Sequence, residues 1–185
     1  MKNFLAIGFL AIAAPASAQM SVTTIGATDA QLCFDAARDP MTLSTTDCDE
    51  ALERGGLSRR DEVATRVNRG VLLNRNGRIS EALADFDYAL DRDSTLAEAY
   101  LNRGNSYYFL RRYDEAIADY EASLKYELNK AHVAWYNIGL AYEAQKDTVK
   151  ARDAYRTALE INPDFGPALK RLGADAAPAD RESER

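Results

Sequence analysis

The sequence predicts an all-α fold in which helix-turn-helix units stack in a row, and three observations carry that prediction. Asn68-Arg69-Gly70, Asn102-Arg103-Gly104 and Asn137-Ile138-Gly139 recur with their glycines 34 and 35 residues apart, a spacing that fits one helical hairpin per copy. Small residues (Ala82, Ala116, Ala151) and aromatic ones (Phe86, Tyr120, Tyr155) return in the same register. Helix boundaries carry capping signals: Ser58 with Asp61 and Thr95 with Glu98 read as capping boxes, Asp114 and Asp147 as caps of second helices. Asn162-Pro163 stops the last repeat helix, because proline disfavours helical geometry in the residue before it.

From the N-terminus, Lys2, the apolar run Phe4 to Ala14 and Pro15-Ala16-Ser17-Ala18 have the order of a cleaved signal peptide over residues 1–18, leaving Gln19 first. The run is too short for a membrane span, which needs about 20 residues, so no membrane insertion is expected. Residues 19–27 read as a flexible leader. Over 28–57, Thr28 to Arg38 and Thr46 to Arg54 form a helical hairpin broken at Asp39-Pro40. Export places Cys33 and Cys48 in an oxidising compartment, where an even count favours a disulfide over two buried thiols. That bond would staple the hairpin and contribute roughly 3 kcal/mol in the chain-entropy picture.

Three repeats follow within residues 58–165, at 63–96, 97–130 and 132–165, with the extra residue near Asn129-Lys130. Glycine in mid-helix costs about 1 kcal/mol relative to alanine, so Gly70, Gly104 and Gly139 predict close approach of a partner helix. Tyr107, Trp135 and Tyr142 join the aromatic set between helix pairs. Arg69 and Arg103 each precede an aspartate by 16 residues (Asp85, Asp119), whereas repeat three has Ile138 and Ala154 at these places. Both partners change together, which predicts an Arg–Asp pair joining the two helices of each early repeat. Exposed, such a pair is worth under about 1 kcal/mol. Residues 166–175, with Leu169 and Leu172 as an apolar stripe, read as a capping helix, and 176–185 as a disordered tail.

Residues 63–165 resemble the tetratricopeptide repeat family as found in exported bacterial proteins. The third copy is the clearest, with Trp135, Ile138, Gly139, Tyr142, Ala151, Tyr155 and Pro163. The resemblance implies a right-handed superhelical solenoid whose first helices line a concave groove for peptides or partner helices. Groove positions would be held by Asn68, Asn74 and Arg75, then Glu98, Asn102, Asn105, Tyr108 and Phe109, then Tyr136, Asn137 and Glu143. Asn68, Asn102 and Asn137 share position six, which is similar to the asparagine row in the repeat domain of O-linked N-acetylglucosamine transferases. An amide donates and accepts at once, so such a row can hold a peptide backbone of any sequence; the other reading is local bonding within the helix. The expected partner-binding set is Asn68, Asn102, Asn105, Tyr108, Tyr136 and Asn137. The clamp for paired carboxylates found in chaperone-binding members is not matched, since repeat three offers Val133 and Asn137 in place of basic residues.

A net charge of −6 argues against nucleic-acid partners; losing Lys2 with the leader would make it one unit more negative. His132 has no nucleophile or acid in a catalytic arrangement, and no phosphate loop or metal-ligand cluster is present. The expectation is a non-enzymatic scaffold without cofactor in the periplasm, binding a protein or peptide of the cell envelope. The alternative is a structural subunit of an envelope complex that works through its caps or convex faces.

Overall fold

The computed structural model describes residues 28–173; the segments read above as signal peptide (1–18), leader (19–27) and tail (176–185) lie outside them. Among the described residues there are nine helices and no strand. A stapled hairpin comes first, α1 (Thr28–Arg38) and α2 (Thr46–Arg54). Repeat one is α3 (Arg59–Arg75) with α4 (Ile79–Arg92), repeat two α5 (Ala97–Phe109) with α6 (Tyr113–Lys125), and repeat three α7 (Ala131–Ala144) with α8 (Thr148–Ile161). The last is α9 (Gly166–Leu172). Each helix packs on the next, and the first helices also meet one another, α3 against α5 and α5 against α7. The result is an all-α repeat solenoid.

The glycines do what their cost requires. A Cβ on Gly70 would lie 2.7 Å from the Phe86 ring, on Gly104 2.7 Å from Tyr120, and on Gly139 2.4 Å from Tyr155. Real side chains do not approach so closely, so the second-helix aromatic is admitted only because position eight has no side chain. Phe86, Tyr120 and Tyr155 are accordingly buried, whereas Tyr107, Trp135 and Tyr142 are half-buried at the edges of the core.

The turn inside each repeat is also repeated. Arg78 N–H donates to Leu73 O, Arg112 to Tyr107 O and Asp147 to Tyr142 O, each at 2.9 Å, closing the first helix with a six-residue loop-back. The pivot has positive φ every time: Gly77 (76°), Arg111 (59°) and Lys146 (66°). Repeats two and three thus place ordinary side chains where the backbone favours glycine. The added residue between repeats falls in a connection of five residues, 126–130, against four at 93–96.

Two of the four capping expectations hold. Ser58 Oγ accepts from Asp61 N–H at 3.1 Å, and Asp147 Oδ1 from Lys150 N–H at 3.1 Å. Thr95 does not cap α5: its N–H and hydroxyl both donate to Asp93 Oδ1, at 2.9 and 2.6 Å, and the helix starts after Leu96. Asp114 lies inside α6 and accepts instead from Gln145 Nε2 at 2.6 Å.

Cys33 and Cys48 form a disulfide with Cα atoms 4.7 Å apart, both residues fully buried. The hairpin is tied to repeat one by Arg75, whose guanidinium donates to Ala37 O (2.7 Å) and Asp39 O (2.9 Å) at the end of α1.

Candidate functional site

The sequence places the candidate site on the first helices, and the structure divides its residues into two groups. Asn68, Asn105, Tyr136 and Asn137 are interior, with exposures of 2, 3, 4 and 0%. Asn102 and Tyr108 are half-buried, and Phe109 is open to solvent.

The interior amides form hydrogen bonds between successive repeats. Asn137 Nδ2 donates to Asn105 Oδ1 at 3.0 Å, and the buried Tyr120 hydroxyl donates to the same oxygen at 3.0 Å. One junction earlier, Asn74 Nδ2 donates to Asn102 O at 3.2 Å, and Ser106 Oγ donates to Asn74 Oδ1 at 2.9 Å. Asn102 is bonded within its own helix, Nδ2 to Glu98 O at 2.8 Å. The reason lies in repeat one, which has Val71 where repeat two has Asn105, so the Asn102 side chain lacks the counterpart that Asn137 finds in Asn105. Arg171 of α9 stands where the repeats have asparagine, and it donates to Glu143 Oε1 at 2.7 Å.

At position six, Asn137 therefore ties its first helix to the preceding one, while the buried Asn68 Nδ2 has no hydrogen-bond partner among the described residues. This corrects the expectation that Asn68, Asn102 and Asn137 form a row for a ligand backbone: two of the three are enclosed, and the third serves its own helix. Tyr136 is likewise enclosed, against Tyr155 and Phe165. The signal that could have found this was Asn74 and Asn105, polar residues on the flank that the next first helix covers, with Ser106 facing Asn74 from that next helix.

Outside repeat two, the groove positions that keep solvent contact are Arg75, bonded to Ala37 O and Asp39 O, and Glu143, bonded to Tyr155 and Arg171. On α3, Ala64, Val67, Asn68, Val71 and Asn74 are all buried; on α7, Val133, Tyr136, Asn137 and Leu140 are too. On α5, Glu98, Asn102 and Phe109 share one face at spacings of four and seven, with Tyr108 beside them. Tyr108 packs edge-on to both Phe109 and Tyr113. Burial pushes the Glu98 carboxyl up from its ordinary value. The α5 face thus combines an aromatic pair, an amide and a half-buried acid.

The Arg–Asp pairs join helices as expected, but deeper than a surface pair. Arg69 grips Asp85 with Nε–Oδ2 2.7 Å and Nη2–Oδ1 2.8 Å, and Arg103 grips Asp119 with both contacts at 2.8 Å. Asp85 and Asp119 are buried. Each arginine also reaches backward, Arg69 to Asp49 of α2 (2.8 Å) and Arg103 to Asp87 of α4 (2.7 Å). The stapled hairpin thus supplies to repeat one what repeat one supplies to repeat two. The aspartates hold both guanidinium groups above their usual range.

Among the described residues, no three His, Cys, Asp or Glu side chains converge as a metal site, and no helix is long and apolar enough to cross a membrane.

The geometry defines a class, the helical-repeat solenoids with first helices on one surface and second helices on the other. Residues 101–164 match the family model described as tetratricopeptide repeat. The chain is 34% identical over 108 residues to the uncharacterized protein ycf37 of Guillardia theta, covering 56% of this chain and 60% of that one. It is 30% identical over 94 residues to human tetratricopeptide repeat protein 12, covering 51% of this chain and 13% of that one. The chain thus spans less than two thirds of the length of either relative. Among solved structures, the first tetratricopeptide domain of Spaghetti (RPAP3) bound to an HSP90 peptide superposes with a TM-score of 0.56 at 21% identity, covering 60% of this chain and 86% of that one.

Proposed function

We propose that this protein is an exported, periplasmic interaction scaffold that holds a peptide segment or helix of another cell-envelope protein against the open face of α5. The observation that carries the reading is the contrast among the first helices: on α3 and α7 the groove positions are buried or, at Arg75 and Glu143, already bonded to Ala37 O and to Tyr155 and Arg171, while Glu98, Asn102, Tyr108 and Phe109 on α5 keep solvent contact. Aromatic side chains flanked by an amide supply apolar area together with backbone hydrogen bonding, the combination extended peptides and amphipathic helices use. The solved Spaghetti domain carries a peptide in its complex, which supports peptide binding as a use of this fold. Export rests on the order of charge, apolar run and small residues over 1–18.

A photo-crosslinking side chain at position 109, expressed in the native cell envelope, tests the site. The expected result is one dominant heterologous partner captured from position 109 and not from the exposed Glu121 on α6. Capture from position 121 alone would remove the α5 face from the account. N-terminal sequencing of the protein recovered from a periplasmic fraction should begin at Gln19.

A second reading, an assembly subunit working through its caps, is favoured by the N-terminal hairpin: Met41 is 86% exposed, and Leu32 and Leu43 are about half exposed. Light scattering separates the two readings, since an assembly subunit would self-associate and lose that association on Met41→Ser with Leu43→Ser.

A further inference from the structure

Repeat two departs from its neighbours at both ends of its first helix. Position two is Ala64 in repeat one and Val133 in repeat three, but Glu98 in repeat two. At the other end, Tyr108-Phe109-Leu110 stands where repeat one has Asn74-Arg75-Asn76 and repeat three Glu143-Ala144-Gln145. Polar residues at these places are used within the fold. Asn74 bonds to Asn102 O and Ser106, and Arg75 to the carbonyls of Ala37 and Asp39. Glu143 bonds to Tyr155 and Arg171, and Gln145 to Asp114. In repeat two, Phe109 and Leu110 are instead 38 and 42% exposed, with the Phe109 ring edge-on to Tyr108.

Glu98 is also unused by the fold. Its carboxyl is half-buried in the first turn of α5, where it is bonded to its own backbone N–H, and among the described residues no cation pairs with it. Arg75 and Arg171, on the groove side of the flanking units, are committed elsewhere. A carboxylate that has lost part of its water without gaining a counter-ion favours the approach of a cation from outside.

Between the two ends lies Asn102, one turn from Glu98. Its Nδ2 donates to Glu98 O at 2.8 Å, which leaves Oδ1 as an acceptor with no donor among the described residues. Such an acceptor discriminates between ligands: an extended segment has backbone N–H groups to give, whereas those in the middle of a helix are already used. From Glu98 to Phe109 is eleven residues, about 16 Å along the helix axis. Residues four apart on one face of an extended chain are about 13 Å apart, and the long stem of a lysine or arginine spans the remainder.

We propose that the α5 face takes an extended, basic segment of another protein, whose lysine or arginine pairs with Glu98 while a large apolar side chain about four residues away packs on Phe109 and Leu110. A backbone N–H between them donates to Asn102 Oδ1. This rests on the binding role of α5 proposed above and adds the chemistry of the partner. The net charge of −6 draws basic segments toward the chain in the same sense.

The test uses the full chain and a fluorescein-labelled nonapeptide, Ser-Thr-Arg-Thr-Ser-Thr-Leu-Thr-Ser, titrated by anisotropy at low salt. Two reference peptides carry Glu in place of Arg, or Ser in place of Leu. The Arg–Leu peptide should bind at least about fivefold more tightly than either reference. Glu98→Gln should remove the preference for Arg over Glu, and Glu98→Arg should reverse it. Phe109→Ser should remove the preference for Leu over Ser, while Glu121→Gln on α6 should leave all three affinities within twofold. The replaced side chains keep solvent contact, so circular dichroism of each variant should match the parent. If the Arg and Glu peptides bind alike and both weaken on Phe109→Ser, the basic partner is overturned and the α5 reading stands. If the Arg–Leu peptide shows no saturable binding, or binding that none of the α5 changes alters, both are overturned.

Discussion

Repeats two and three share a backbone design but join their two helices by opposite means. In repeat two the helices are bridged by Arg103 and the buried Asp119, with Arg103 also reaching back to Asp87 of repeat one. In repeat three the same places hold Ile138 and Ala154, both buried in the apolar core. The glycine–aromatic contact is present in both, Gly104 with Tyr120 and Gly139 with Tyr155. The fold therefore depends on close approach at the glycine, while the neighbouring pair is interchangeable provided both members change together. A buried ion pair is often no more stabilising than apolar residues of similar volume, but half of one is costly.

The largest expected effect breaks this equivalence on one side. Arg103→Ile leaves the Asp119 carboxylate buried without its guanidinium and should destabilise by roughly 3–5 kcal/mol. Adding Asp119→Ala, which copies repeat three into repeat two, should recover most of that loss. Urea unfolding midpoints of the parent, single and double variants measure both steps. An uncompensated double variant would show that the pair cannot be exchanged.

Next in size is the contact the two repeats share. Gly139→Ala removes the usual helix penalty of glycine, yet it puts a methyl group against the Tyr155 ring; the overpacking should win, with a net loss of about 1–3 kcal/mol. Thermal unfolding followed by circular dichroism reads the sign directly, and a gain in stability would mean that the ring moves without cost.

Smaller effects separate repeat one from the later two. Gly77 pivots its turn, whereas Arg111 and Lys146 hold the same left-handed backbone with full side chains. Lys146→Gly should therefore stabilise by up to about 1 kcal/mol, and Gly77→Lys should destabilise by a similar amount in the same assay.

The smallest expected effect concerns Glu98, whose carboxyl is raised by burial. The folded state holds this proton more tightly than the unfolded chain, so the burial cost is present above the folded pKa and disappears as pH falls below the ordinary carboxylate value. Glu98→Gln should raise stability at pH 7 by under about 1 kcal/mol, since the side chain keeps part of its solvent. The gain should vanish in strongly acidic buffer. A gain that persists there would point to packing rather than charge.

Much of the fold was legible because single residues carry strong constraints. Three mid-helix glycines at one period demand a close partner, and Phe86, Tyr120 and Tyr155 are that partner. The joint change of Arg103/Asp119 to Ile138/Ala154 identified a contact from within one chain. The candidate site was legible only in part. Helical spacing tells which face Asn68 and Asn137 occupy, but not that the neighbouring first helix covers it. For Asn137, Asn105 on that neighbour decides the matter. Thr95 and Asp114 failed as caps for a similar reason: Asp93 competes for Thr95, and Gln145 reaches Asp114 across a junction.

The central claim is that the position-six amide of repeat three, Asn137, binds that repeat to the one before and not a ligand. A double-mutant cycle on Asn105→Ala and Asn137→Ala, read by urea unfolding of the full chain, tests it most directly. The account predicts that each single change destabilises by about 1–2 kcal/mol and that the two are coupled by at least about 0.5 kcal/mol. Additive changes that leave stability at the parent value would contradict it and return Asn137 to the role of a ligand contact.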